Sequence, residues 1–237
     1  MPARQPTVSP LITCEHAGKA VPGEWQHLFE GRQSLLDSHR GYDRGSLDVG
    51  QALAASLSAP LLAGTVTRLL VDLNRSRGHP RHFSELTRRL PAADKDRVDA
   101  EFWWPHWSRY REYLEHLPGQ IVHIACHSFV PVLDGKFRTA DIGLLYDPKR
   151  RREASWCGRL ADAIERRLPA VRARMNYPYR GTSNGMGQQH RPLFNDQRLI
   201  TMELEVNQRL CECDGWSGVV SGLVDAVGET LHKESKK

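Results

Sequence analysis

The stretch Gln120–Cys126 (QIVHIAC) runs straight into His127 and Ser128. An apolar, β-branched run of this length, bounded by polar residues, reads as a strand buried on both faces, and such strands belong to parallel sheets covered by helices. Working outward, Val8–Cys14, Arg68–Leu73 (RLLVDL), Asp141–Tyr146 (DIGLLY) and Leu199–Val206 (LITMELEV) are further strands. Between and after them, Ser46–Ser58, Ala93–Leu117, Glu153–Leu168 and Trp216–His232 have helical composition and spacing. The second helix is interrupted at Pro105 and carries a tryptophan cluster at Trp103, Trp104 and Trp107. The alternation predicts one α/β domain over residues 1–237, with a mostly parallel sheet and helices on both faces.

Composition bounds the function classes. With 40% hydrophobic and 26% charged residues, the chain of 237 is neither a disordered tail nor a fibre. No apolar run approaches a membrane span, and the N-terminus is a poor leader, so no membrane partner and a cytoplasmic location are expected. Five cysteines (Cys14, Cys126, Cys157, Cys211 and Cys213) make an odd set without a CxxC pair. They read as thiols in a reducing compartment. The formal charge of +5 admits anionic small substrates or nucleic acid. A basic binding module built on Lys149–Arg152 lacks both a reading motif and interleaved aromatics, so no nucleic-acid partner is expected.

Polar residues gather where parallel sheets place ligands, at the carboxyl ends of strands. His16 follows the first strand, Asn74 and Arg75 the RLLVDL run, and His127 and Ser128 the central one. Glu203 and Glu205 share a face of the last strand by two-residue alternation. Such a set suits a metal or acid–base site. Other motifs fare worse. Gly181–Gly185 fits GxSxG around Ser183, but a nucleophile elbow needs a strand before it and a helix after it, and neither is expected. His27/Glu30 and His82/Glu85 match HxxE, a short pattern expected on surface helix or loop.

Six segments in order, CEHAGKAVP, SHRGYDRGS, LLVDLNRS, CHSFVP with FRTADIGLLYDP, NYPYRGTSNG and ELEVNQ, resemble the N-formylglutamate amidohydrolase family from about Leu11 to Leu210. That family is related in fold to zinc carboxypeptidases and aspartoacylases. The resemblance therefore implies a three-layer α/β/α domain with a mostly parallel, mixed sheet, and a hydrolase holding one zinc ion. His16 and His127 match the metal histidines, and Asp43 is the position assigned to the acidic ligand. In carboxypeptidases that ligand lies three residues after the first histidine, where this chain has Lys19. Glu205 matches the general base, with Glu203 as the competing position. Arg75, assisted by Asn74, matches the arginine that grips a substrate carboxylate. Arg138 is a second arginine for the other carboxylate or the oxyanion, while Arg180 and Ser128 belong to the substrate pocket.

The implied reaction is hydrolysis of N-formyl-L-glutamate to formate and glutamate, a step of histidine degradation. The partner is a small anionic N-acyl amino acid, and the protein is expected as a monomer or small homo-oligomer. A sister deacylase acting on another acyl group, or a carboxypeptidase-like hydrolase, uses the same machinery.

Overall fold

Alternate residues of the central strand face two chemically different layers, and this difference positions everything else. The computed structural model describes residues 7–236. Residues 1–6, the start of the segment read as a poor leader, and residue 237 lie outside the described residues. The strands are β1 (Val8–Cys14), β2 (Leu61–Ala63), β3 (Gln120–Phe129), β4 (Val132–Leu133), β5 (Lys136–Phe137), β6 (Ile142–Leu145), β7 (Ala173–Met175) and β8 (Leu199–Asn207). Six of them form one sheet in the order β2-β1-β3-β8-β6-β7, and β4 pairs with β5 in a separate hairpin. β2, β1, β3 and β8 run parallel, β6 is antiparallel to β8, and β7 is parallel to β6.

The helices are α1 (Gln33–Leu36), α2 (Ser46–Leu57), α3 (Ala92–Val98), α4 (Trp104–His116), α5 (Arg151–Arg167), α6 (Met186–His190), α7 (Gln208–Cys211) and α8 (Trp216–Glu234). On one sheet face Ile12, Val122, Ile124, Ile200, Met202 and Leu204 pack into a core with α2, α5 and α8. On the other, Leu11, Ile121 and Leu199 join a core with α3, α4 and the loop from Val66 to Leu73. There the apolar layer covers only the start of the strands. Further along, the same face carries Thr13, His123, His127, Thr201, Glu203 and Glu205. Polar groups in a covered layer need partners, and those partners make the site. Among the described residues, no helix is long and apolar enough to cross a membrane.

Three expectations change. Arg68–Leu73 is not a strand: Leu70 N–H bonds the Thr67 carbonyl and Asp72 N–H that of His82, so the run is a chain of turns. Its leucines and Val71 are buried by α4 rather than by a ladder, a distinction periodicity cannot draw. The helix expected to break at Pro105 continues, through a π-helical turn at Asp99–Trp103. That wider turn suits a residue with no N–H to give the preceding turn. β3 runs on to Phe129, because its pairing with β8 continues to Asn207, so His127 and Ser128 lie inside the strand.

Candidate metal centre and substrate cavity

His16 follows β1, His127 lies in β3, and Asp43 sits just before α2, tied to His16 by a backbone bond from Asp43 N–H to the His16 carbonyl. All three are buried. The Asp43 Oδ2 atom lies 3.3 Å from His16 Nδ1 and 2.9 Å from His127 Nδ1. One ligand atom from each of the three residues falls within 4.8 Å of the other two.

The far side of each ring meets another carboxylate. His16 Nε2 is 2.7 Å from Asp72 Oδ1, and His127 Nε2 is 3.0 Å from Glu15 Oε2. A carboxylate behind each histidine fixes the Nε2–H tautomer and leaves Nδ1 as a donor atom for a metal. Arg68 spans the two aspartates, 3.1 Å from Asp43 and 3.0 Å from Asp72. Burial pushes the Asp43, Asp72 and Glu15 carboxyls up, but neighbouring histidines, joined at the two aspartates by Arg68, hold all three well below the usual carboxylate range. Burial likewise opposes a proton on His127, and Asp43 and Glu15 outweigh it and raise its pKa. Three carboxylates against one guanidinium leave two negative charges around two imidazoles. A divalent cation balances them, and two nitrogens with one oxygen suit zinc with an open position for water.

Hydrogen-bond polarity extends the support inward. The Thr13 hydroxyl donates to Glu15 Oε1 at 2.6 Å, so His123 Nε2–H, 2.9 Å away, donates to Thr13. His123 Nδ1 is then the acceptor, with the Tyr110 and Thr201 hydroxyls 2.9 and 2.7 Å away. Burial holds His123 neutral, with its pKa lowered to about 3. The tryptophan cluster has a role as well. Trp103 and Trp107 indole N–H groups bond the carbonyls of Arg75 and Leu73, clamping the turn that presents Asp72 and Asn74.

Glu205 lies opposite His127 in register. It is buried and its Oε2 has no hydrogen-bond partner. Burial, then the charges of Asp43 and Glu203, push its pKa up to about 8. Glu203 also faces the cavity and accepts a 3.4 Å bond from Asn74 Nδ2. The Asn74 amide is occupied within the protein on its other side too, where Oδ1 accepts from Met186 N–H at 2.8 Å. Arg75 points into the cavity with Nη1 on the carbonyls of Asn74 and Asn184. Ser128 gives its N–H to Asp43 and its hydroxyl accepts from Gln208. Arg180 is exposed on the cavity wall. Arg138 is not among the lining residues: it bonds the Tyr179 hydroxyl and stacks on that ring, so it reaches the cavity through Tyr179.

The cavity these residues line has a volume of about 610 Å³. Glu15, Asp72, Arg68, Thr13 and His123 are its supports that sequence reading missed. Thr13 and Glu15 were findable by the two-residue alternation that paired the glutamates. Ser183 has a short helix, α6, soon after it, against expectation, but turns rather than a strand precede it. His27 is exposed as expected, whereas His82 is buried against Asp99 at 2.7 Å.

The sequence profile of the N-formylglutamate amidohydrolase family matches residues 8–211. Among solved structures, a gene product of Agrobacterium tumefaciens is similar over 97% of this chain and 92% of its own, at 23% identity and a TM-score of 0.80. An N-formylglutamate amidohydrolase from Ralstonia eutropha JMP134 is similar over 94% and 93%, at 17% identity and a TM-score of 0.60. These two show the shared fold. No curated protein matches the chain.

Proposed function

The chain belongs to the N-formylglutamate amidohydrolase family and is an amidohydrolase, and we propose that it uses one zinc ion to cleave the N-formyl amide of an acidic amino acid, N-formyl-L-glutamate first. One observation carries the reading: two imidazole Nδ1 atoms and a carboxylate oxygen converge beside the buried, unpartnered oxygen of Glu205.

His16, Asp43 and His127 would hold the ion, which when bound supplies Lewis acidity and lowers the pKa of water towards about 7. Glu205 takes a proton from the water as its oxygen attacks the acyl carbon. The C–N bond then breaks, and Glu205 returns that proton to the leaving nitrogen, giving formate and the free amino acid. A cation held by those ligands would favour the charged form of Glu205, which takes the proton, while burial favours the neutral form and eases its return. Arg75 and Arg180 grip the two carboxylates of the amino acid, since a guanidinium fork suits bidentate pairing. Arg138 holds Tyr179 against the same pocket. We read residues 1–237 as one catalytic domain, a monomer or small homo-oligomer, and cytoplasmic histidine degradation as the setting this activity fits.

The test is formate release from N-formyl-L-glutamate together with elemental analysis. The purified protein should carry one zinc, and His16→Ala and His127→Ala should each lose it. Full zinc in both variants, or inactivation by a serine-directed reagent, sinks the reading.

A further inference from the structure

The cavity presents more uncommitted arginines than its proposed substrate can use. Six arginines line it. Arg68 is committed to Asp43 and Asp72, and Arg40 to Glu85. Arg75, Arg81, Arg88 and Arg180 have no carboxylate partner among the described residues. Two histidines on the same wall sense the field. Burial and then Arg40 and Arg68 lower the pKa of His39, and burial with Arg75 and Arg81 lowers that of His79. Five carboxylates line it as well: Asp43 and Asp72 are held by Arg68 and Glu85 by Arg40, so Glu203 and Glu205 are left beside the four uncommitted guanidiniums.

N-formylglutamate brings two carboxylates, which Arg75 and Arg180 satisfy. It is also small, with about a dozen non-hydrogen atoms, whereas a cavity of about 610 Å³ lies within the range of roughly 300–1,000 Å³ that encloses drug-sized ligands. Arg81 and Arg88, on the loop between β2 and α3, line the same cavity with nothing in that substrate to bind. We propose that the site takes N-acyl acidic amino acids bearing a third anionic group, held by Arg81 and Arg88. The inference rests on the amidohydrolase reading above and narrows its substrate class.

Three compounds test it. N-formyl-L-glutamate has two carboxylates, N-formyl-γ-L-glutamyl-L-glutamate adds a third on the amino-acid side, and N-malonyl-L-glutamate adds it on the acyl side. At least one tricarboxylate should exceed N-formyl-L-glutamate in kcat/KM by about tenfold, the lower end for a charge-assisted hydrogen bond. In the Arg81→Gln/Arg88→Gln double variant that ratio should collapse about tenfold, mainly through KM, and about 0.5 M salt should shrink it in the parent because the arginines are exposed. A ratio near one in the parent overturns the proposal, as does an undiminished ratio in a double variant that melts like the parent. If none of the three is hydrolysed, the amidohydrolase reading fails separately. Calorimetry of the same compounds on zinc-loaded Glu205→Gln protein then decides the anion class, and equal affinity for two and three carboxylates overturns it.

Discussion

Glu203 and Glu205 stand two residues apart on one strand face, yet their surroundings assign them different work. Glu205 is buried opposite His127 with an oxygen that nothing occupies, while Glu203 is more open and accepts from Asn74. Glu205→Gln should keep its zinc and lose about 10²–10⁴ in kcat, the usual worth of a general base. Glu203→Gln at equal zinc content should lose less than about tenfold, and the reverse order would transfer the role. Thr13 offers a subtler test, because it touches neither substrate nor metal. Its hydroxyl sets the direction of the bonds from His123 to Glu15, so Thr13→Val should weaken zinc binding by about 10–100-fold, as loss of outer support typically does. Thr13→Ser should restore it, and a chelator titration giving equal zinc affinity for all three proteins would remove Thr13 from the site. His16, His127 and Asp43 were legible because their segments are distinctive in order. Asp72 and Arg68 were not, since a support residue is defined by what it touches across the fold.

At the scale of elements, the strands of the central sheet could be read from apolar runs, and the loops over its polar face could not. RLLVDL looks like a strand because its side chains are buried, but the burial comes from α4 and two indole hydrogen bonds. β2 and β7 escaped notice because each spans three residues, too few for a period to show. The turn after β7 lies close over β6, and Gly143 is the reason it can. A Cβ there would stand 2.0 Å from the Tyr177 carbonyl oxygen and 3.1 Å from the Glu205 Cβ. Gly143→Ala should therefore cost about 1–3 kcal/mol, the range for overpacking. It should also cut activity more than a change of equal stability cost on α8, since the displaced backbone borders Glu205 and Tyr179. Equal losses of activity at matched melting temperature would show that the turn does not position the base.

At the scale of the whole molecule, the buried charges of the site couple metal, proton and stability. Consider the zinc-free protein between pH 6.5 and 8. Glu205, raised by burial to about 8, keeps its proton in the folded state, whereas the unfolded carboxyl has already lost it above about 4.5. His127, held well above 6.5 by Asp43 and Glu15 against burial, keeps its proton too, whereas the unfolded imidazole sheds it near 6.5. The folded state thus binds more protons, and zinc-free stability falls as pH rises, by about 1.4 kcal/mol per pH unit for each such group. Groups shifted the other way act below this window: His106 and His123, lowered by burial to about 4 and about 3, are neutral in both states above 6.5. Zinc at the proposed site should reverse the slope. It binds deprotonated ligands, so its affinity and its stabilisation of the folded state grow with pH. The melting temperatures with and without zinc should therefore diverge from pH 6.5 to 8, by several degrees at about 2–4 °C per kcal/mol for a chain of this size. Parallel curves, measured by calorimetry on chelated and reloaded protein, would mean that no group at the site exchanges its proton for the cation.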